Sequence, residues 1–233
     1  MTSDPRVVAG LSAQRELLNT KIAAGERQRG WKLGFGSPSG LELLSLQNPL
    51  IGFMLESGEL PNGASVDISG WTGPAIEAEI AVRLKHSLPA SAEPTEIMNA
   101  VDAFLPALEI VDLDHPPADP ERILGGNIFH RNYVLGPDLT RGWGAGPHAL
   151  IGRVRHNNEW TEPVLEVQAL TGDYLANLTE LIRSAPQVGN GTRSGDIILL
   201  GSIVPPVRIT TGDAFEFQAN QAPSLEVNFI SQT

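Results

Sequence analysis

An α+β fold, dominated by a mixed or antiparallel sheet with a helical segment at the N-terminus, is what this sequence predicts. Three observations predict it. The 233 residues include 24 glycines and 18 prolines, a turn-rich composition suited to many short strands. Short apolar or alternating runs recur between turn signals, whereas helical spacing of apolar residues is confined to a few segments. With 41% hydrophobic and 18% charged residues, the chain has the material for a core and lacks the composition of a disordered one.

The elements follow in order. Leu11, Leu17, Leu18 and Ile22 place a helix over about Leu11 to Ala24, closed by Gly25 and Gly30. Trp31 to Phe35 reads as a strand that turns at Gly36-Ser37-Pro38. Leu41 to Leu46 suits a short helix broken by Asn48-Pro49, and Ile51 to Leu55 is extended. Asn62-Gly63 signals a turn into another strand. From Pro74 the pattern alternates, with Ile76, Ala78, Ile80, Val82 and Leu84 on one face and Glu77 and Glu79 on the other. Ser91 to Pro94 starts a helix whose face is Ile97, Val101, Phe104 and Leu105, ended by Pro106; a strand carrying Glu109 follows. His115 to Arg122 is a loop or short helical turn. Strands are expected at Tyr133 to Leu135, Leu150 to His156 and Val164 to Ala169. A helix runs from about Tyr174 to Ser184. Ile197 to Leu200, Phe215 to Gln218 and Leu225 to Ile230 close the chain as strands. Without repeats or a low-complexity linker, the sequence reads as a single domain, 1–233, with residues 1–30 as its helical segment.

Charge and composition exclude several classes. The net charge is −11 and no basic patch forms, which argues against a nucleic-acid partner. No apolar run nears the roughly 20 residues of a membrane span. Met1 to Gly10 lacks a signal-peptide core, so a soluble cytoplasmic protein is the expectation. With no cysteine there is neither a disulfide nor Cys-ligated zinc.

The carboxylates carry the chemistry. Glu77 and Glu79 lie two apart on a strand and share a face, about 7 Å apart along it. Such a pair is either a solvated strand face or a pair of ligands. Glu109 interrupts Leu105 to Val111, a stretch apolar on both faces as in a buried strand. A lone buried carboxylate is costly unless paired or bound to a cation. Three carboxylates so placed suit a hard divalent cation, Mg²⁺ or Mn²⁺.

Gly30-Trp31-Lys32-Leu33-Gly34, then Pro74 to Ala81 and Leu105 to Val111, occur in an order that resembles the 2-keto-4-pentenoate hydratase / 4-oxalocrotonate decarboxylase family of the fumarylacetoacetate hydrolase superfamily. Arg153 to Glu159, Gly195 to Ser202 and Gly212 to Glu216 resemble its later segments. The resemblance implies a mixed β-roll of the fumarylacetoacetate hydrolase C-terminal type over residues 31–233, assembled as a homo-oligomer. It implies Mg²⁺ or Mn²⁺ on Glu77, Glu79 and Glu109, and Lys32 as a catalytic lysine that neutralises an enolate or moves a proton. The implied activity is that of a lyase, a decarboxylase or hydratase, on a small 2-oxo acid or 2-hydroxydienoate. Glu at position 109 resembles that branch. An acylpyruvate hydrolase-like enzyme and a non-catalytic partner subunit are the alternatives.

Gly126-Asn127 stands where the family has an Asp-Asn pair, which implies substrate binding by Asn127. Arg131, beside it, could pair with a second substrate carboxylate. The family's acid position, in a Pro-Asp-aromatic-Gly segment, corresponds to Leu50, a departure that points from water addition toward other enolate chemistry. Phe129, Leu165 to Val167 and Leu200 are further departures. His86, His115, His148 and His156 have no ligand spacing and read as surface residues. Asp112, Asp114 and Asp119 read as solvated. Gly34-Phe35-Gly36 is no dinucleotide fingerprint, and no Gly-x-Ser-x-Gly elbow is present.

Overall fold

The computed structural model describes residues 4–144 and 146–231. Its elements are α1 (Pro5–Ala23), β1 (Gln28–Gly34), α2 (Pro38–Leu44), β2 (Leu50–Leu55), β3 (Glu59–Leu60), β4 (Ala64–Asp67), β5 (Pro74–Leu84), α3 (Pro94–Ala100), β6 (Val101–Asp112) and α4 (Pro120–Gly125). There follow β7 (His130–Leu135), β8 (Thr140–Arg141), β9 (Gly152–His156), β10 (Glu159–Trp160), α5 (Tyr174–Ser184), β11 (Ile197–Ser202), β12 (Val207–Arg208), β13 (Ala214–Ala219) and β14 (Leu225–Ile230). Among the described residues no helix is long and apolar enough to cross a membrane.

One sheet has the order β2-β1-β11-β5-β6-β7-β3, with β12 on β5 and β8 on β6; the other has the order β10-β9-β13-β14-β4. Strands β2 and β3 are the two ends of the larger path, yet Leu55 and Glu59 lie four residues apart in sequence. Four residues span at most about 14 Å, so the sheet must curl until its ends approach. The Tyr133 hydroxyl helps close this roll by donating to the Leu55 carbonyl at 3.1 Å. Both faces of the sheet are buried. Ile76, Ala78, Ile80 and Val82 belong to the main core, while Ala81, Leu105, Ala107 and Leu199 form a smaller apolar cluster on the opposite side.

The helices begin where local chemistry allows. Asp4 caps α1 by accepting from the Arg6 N–H at 2.9 Å, with Pro5 in the first turn. That signal extends the helix six residues before the Leu11 start given by periodicity. Ser37 caps α2, Asp119 caps α4 and Asp173 caps α5, while α3 carries a capping box formed by Glu93 and Glu96.

Two expected elements differ. Val101 to Leu105 belong to β6, not to a helix that ends at Pro106. A strand buried on both faces is apolar throughout, so its spacing also matches a helix, and periodicity cannot separate the two. Pro106 is tolerated because β6 pairs with β7 from Ala107 onward and with β8 at Ala103 and Phe104, which leaves its missing N–H at the junction. Val164 makes only an isolated bridge to Gly152, and no strand continues to Ala169.

Candidate active site

The acidic cluster is built by the pairing of β5 with β6. Glu77 stands directly opposite Glu109 in the register, and Glu79 opposite Ala107. Cross-strand neighbours share a face, so all three carboxylates emerge on one side. Glu79 and Glu109 are fully buried. A ligand atom from each of Glu77, Glu79 and Glu109 lies within 4.8 Å of the others. Two oxygens bound to one hard cation are separated by roughly 3–5 Å, so the spacing fits such an ion. The solvated-face alternative for Glu77 and Glu79 does not describe these positions.

Lys32 arrives from β1. Its ammonium donates to Glu109 Oε1 at 2.5 Å and to the Ile128 carbonyl at 3.2 Å. It pairs in register with Gly52 of β2, where a Cβ would come within 2.9 Å of Lys32 Cγ. Glycine at 52 is what leaves the lysine room. Nδ1 of His130 lies 2.7 Å from the same Glu109 oxygen. A register shift in β11 between Leu199 and Ser202 frees the Gly201 N–H, which donates to Glu79 Oε2 at 2.9 Å. Gly201 has φ +103°, and a Cβ there would meet Thr171 at 2.7 Å, so glycine is required twice over.

These contacts leave Glu79 Oε1 and Glu109 Oε2 buried without a hydrogen-bond partner. Burial pushes the Glu77 carboxyl up, helped by the negative Glu109, to about 7. Burial likewise holds Glu79 well above the ordinary carboxylate range, with both neighbouring carboxylates adding to the effect. Burial opposes ionisation of Glu109 too, but the Lys32 charge and the His130 hydrogen bond outweigh it and lower Glu109 to about 2. Burial works against the Lys32 cation, and the charge of Glu109, followed by that of Glu77, overcomes it and raises Lys32. Three ionised carboxylates and one ammonium would leave a net charge of −2, the charge a divalent cation neutralises. The donor set therefore fits a hard divalent ion on all three carboxylates.

The segment that supplies the Ile128 carbonyl is strained. Asn127, Ile128 and Phe129 have φ of 55°, 52° and 61°, a run of left-handed residues that includes a β-branched one. Asn127 holds it in place. Its Oδ1 accepts from the Phe53 N–H and its Nδ2 donates to the Phe53 carbonyl, both at 2.9 Å. The buried Gln14 amide donates to Asn127 Oδ1 at 3.3 Å and to the Ile51 carbonyl at 2.9 Å. Asn127 is thus committed to bracing β2 rather than to a ligand, contrary to the expectation of substrate binding.

Arg131 differs from expectation as well. Its guanidinium lies 3.5 Å from Asp112 and 3.7 Å from Asp114, and it borders a different hollow from the one at Lys32. Asp112 is not solvated: it accepts from the Thr72 and Gly73 N–H groups at 3.1 and 2.7 Å. His115 is not a surface residue either, since its ring lies 4.6 Å from that of Phe129 and its Nδ1 is 2.5 Å from Asp114. Leu50 is buried and lines a hollow shared with α1, not the one that Lys32 borders. Sequence reasoning missed the contact of His130 with Glu109. The β6–β7 register shifts between Ile110 and Val111, and no local motif announces that.

Lys32 and Glu77 open onto a cavity of about 440 Å³. Its other walls are largely apolar and include Phe35, Leu43, Leu113, Phe129 and Leu200. The chain has the fumarylacetoacetate hydrolase fold, as its likeness to solved structures shows. A 4-oxalocrotonate decarboxylase from Pseudomonas putida G7, complexed with magnesium and adipate, superposes with a TM-score of 0.85 at 24% identity, covering 95% of this chain and 85% of that one. A fumarylpyruvate hydrolase from Pseudomonas aeruginosa, in complex with Mn²⁺ and pyruvate, gives 0.65 at 11% identity, covering 88% of this chain and 90% of that one.

Within that fold the relatives of this chain are hydratases and decarboxylases. It is 27% identical to the 2-keto-4-pentenoate hydratase of Paraburkholderia xenovorans (strain LB400), over 98% of this chain and 84% of that protein. It is 25% identical to a 4-oxalocrotonate decarboxylase of a Pseudomonas species, over 97% and 88% respectively. No protein-family model matches the chain.

Proposed function

We propose that this chain is a divalent-metal-dependent lyase, of the hydratase or decarboxylase type, acting on a small 2-oxo acid or 2-hydroxydienoate through an enolate. One observation carries the reading: the carboxylates of Glu77, Glu79 and Glu109 converge beside the buried Lys32 in the wall of a cavity, and Glu79 and Glu109 each keep a buried oxygen without a partner. Mg²⁺ or Mn²⁺ held by Glu77, Glu79 and Glu109 would supply Lewis-acid stabilisation of negative charge on the substrate oxygens.

The chain's own residues supply the rest. Lys32, held as a cation by Glu109, adds a fixed positive charge next to the developing enolate. Its raised pKa suits it to electrostatic stabilisation rather than to work as a free base. His130 and the Ile128 carbonyl hold Glu109 and Lys32 in their relative positions. The apolar walls keep the local dielectric low, which strengthens each of these interactions.

The same reading takes the chain as one domain. In support, α1 sends Gln14 into the core to brace the strand behind Lys32. Cytoplasmic location and a homo-oligomeric state complete the proposal on the strength of the resemblance, and sedimentation of the purified protein tests the latter. The activity is tested by following 2-hydroxypenta-2,4-dienoate, and 2-oxo acids, in the presence of Mg²⁺ or Mn²⁺. Turnover should stop with a chelator and fall sharply in Lys32→Met. Absence of turnover with either metal on every member of the set would refute the proposal.

A further inference from the structure

We propose that the cavity selects monocarboxylic substrates whose end remote from the 2-oxo acid group is apolar, and that it rejects dicarboxylates. This rests on the function proposed above and narrows it. The argument is a census of charge. Among the described residues lining the cavity, Lys32 is the one cation and Glu77 the one anion. Lys32 is bound to Glu109, so its charge is committed to the acidic end. The rest of the lining includes Phe35, Leu43, Leu113, Phe129, Leu170 and Pro206, with neutral serine, threonine and asparagine groups. Arg131, the obvious partner for a second carboxylate, borders a different hollow and lies beside Asp112 and Asp114.

A carboxylate at the remote end of a substrate would leave water and meet no free cation among the described lining residues. Burying an unpaired charge is among the most costly things a binding site can do. An alkyl or aryl group in the same place would instead gain from every apolar contact. Leu43 makes the same point from outside. It lines the cavity yet is 57% exposed, an apolar side chain at the mouth that an apolar ligand would cover. The inference also bears on reaction type. A substrate without a remote carboxylate has no CO₂ to lose at that end, so addition of water or tautomerisation is the chemistry such a cavity favours.

The test is calorimetry on the Mg²⁺-loaded full chain with pyruvate, 2-oxohexanoate and 2-oxoadipate. The last two have the same carbon count and differ in the terminal carboxylate. 2-Oxohexanoate should bind at least about tenfold tighter than pyruvate and about a hundredfold tighter than 2-oxoadipate. Leu43→Arg, at a position exposed enough to tolerate it, should bring 2-oxoadipate to within about tenfold of 2-oxohexanoate. If 2-oxoadipate binds the unaltered chain as tightly as 2-oxohexanoate, the selectivity proposal is overturned and the metal-dependent reading stands. If Mg²⁺ gives no heat, or none of the three acids binds, the functional reading falls and takes this proposal with it.

Discussion

Replacing Glu79 by glutamine separates metal binding from folding. In the metal-free chain burial holds Glu79 well above the ordinary carboxylate range, which favours its neutral form. Glutamine resembles that neutral form and can still accept from the Gly201 N–H, as Glu79 Oε2 does. Metal-free stability should therefore change by less than about 1 kcal/mol, or about 4 °C in Tm for a chain of this length. With Mg²⁺ at 100 times its Kd, the wild type should gain about 2.7 kcal/mol, a rise of roughly 5–11 °C. Loss of outer-shell support alone weakens metal sites about 10–100-fold, so loss of a ligand should cost at least about a hundredfold. The variant at the same Mg²⁺ concentration would then gain only about 0.4 kcal/mol, or about 1–2 °C. The assay is thermal unfolding of both proteins with chelator and with Mg²⁺. Equal shifts in the two proteins would refute the assignment of Glu79 as a ligand.

Four further outcomes are expected. Glu77 is raised to about 7, so Mg²⁺ must displace its proton below that pH, and affinity at pH 6 should be at least about tenfold weaker than at pH 8 by calorimetry, Glu77 alone supplying that factor. In chelator, the unfolded chain ionises Glu77 near its ordinary value while the folded chain keeps the proton to about 7. Stability should therefore fall as pH rises across that window, by up to about 3 kcal/mol from this group, and Mg²⁺ should abolish the fall. Lys32→Met strips Glu109 of its cation and should destabilise the metal-free protein by about 3–5 kcal/mol in chemical denaturation. Gly52→Ala places a methyl 2.9 Å from Lys32 Cγ and should cost about 1–3 kcal/mol together with most of the activity, measured by denaturation and turnover.

The sequence alone determined the elements whose cause is local. The Tyr174–Ser184 helix and the Leu225–Ile230 strand follow from periodicity, and their bounds agree with the structure. Glu109 was legible as chemistry because a carboxylate in a buried strand demands a partner whatever the fold, whereas Glu77 and Glu79, two apart on one strand face, fitted a solvated face as well as a pair of ligands. Other features depended on which strands meet. Val101 to Leu105 have the spacing of a helix, and only burial of both faces of β6 makes them a strand. The β5–β6 register sets Glu77 opposite Glu109, and a shift by one residue would turn one of them to the opposite face. The same dependence fixes His130 on Glu109, Asn127 on the backbone of Phe53, and Arg131 outside the cavity. Each of these side chains makes its decisive contact with a residue distant in sequence. Their types are written in the chain, but their partners are set by the curl and register of the sheet.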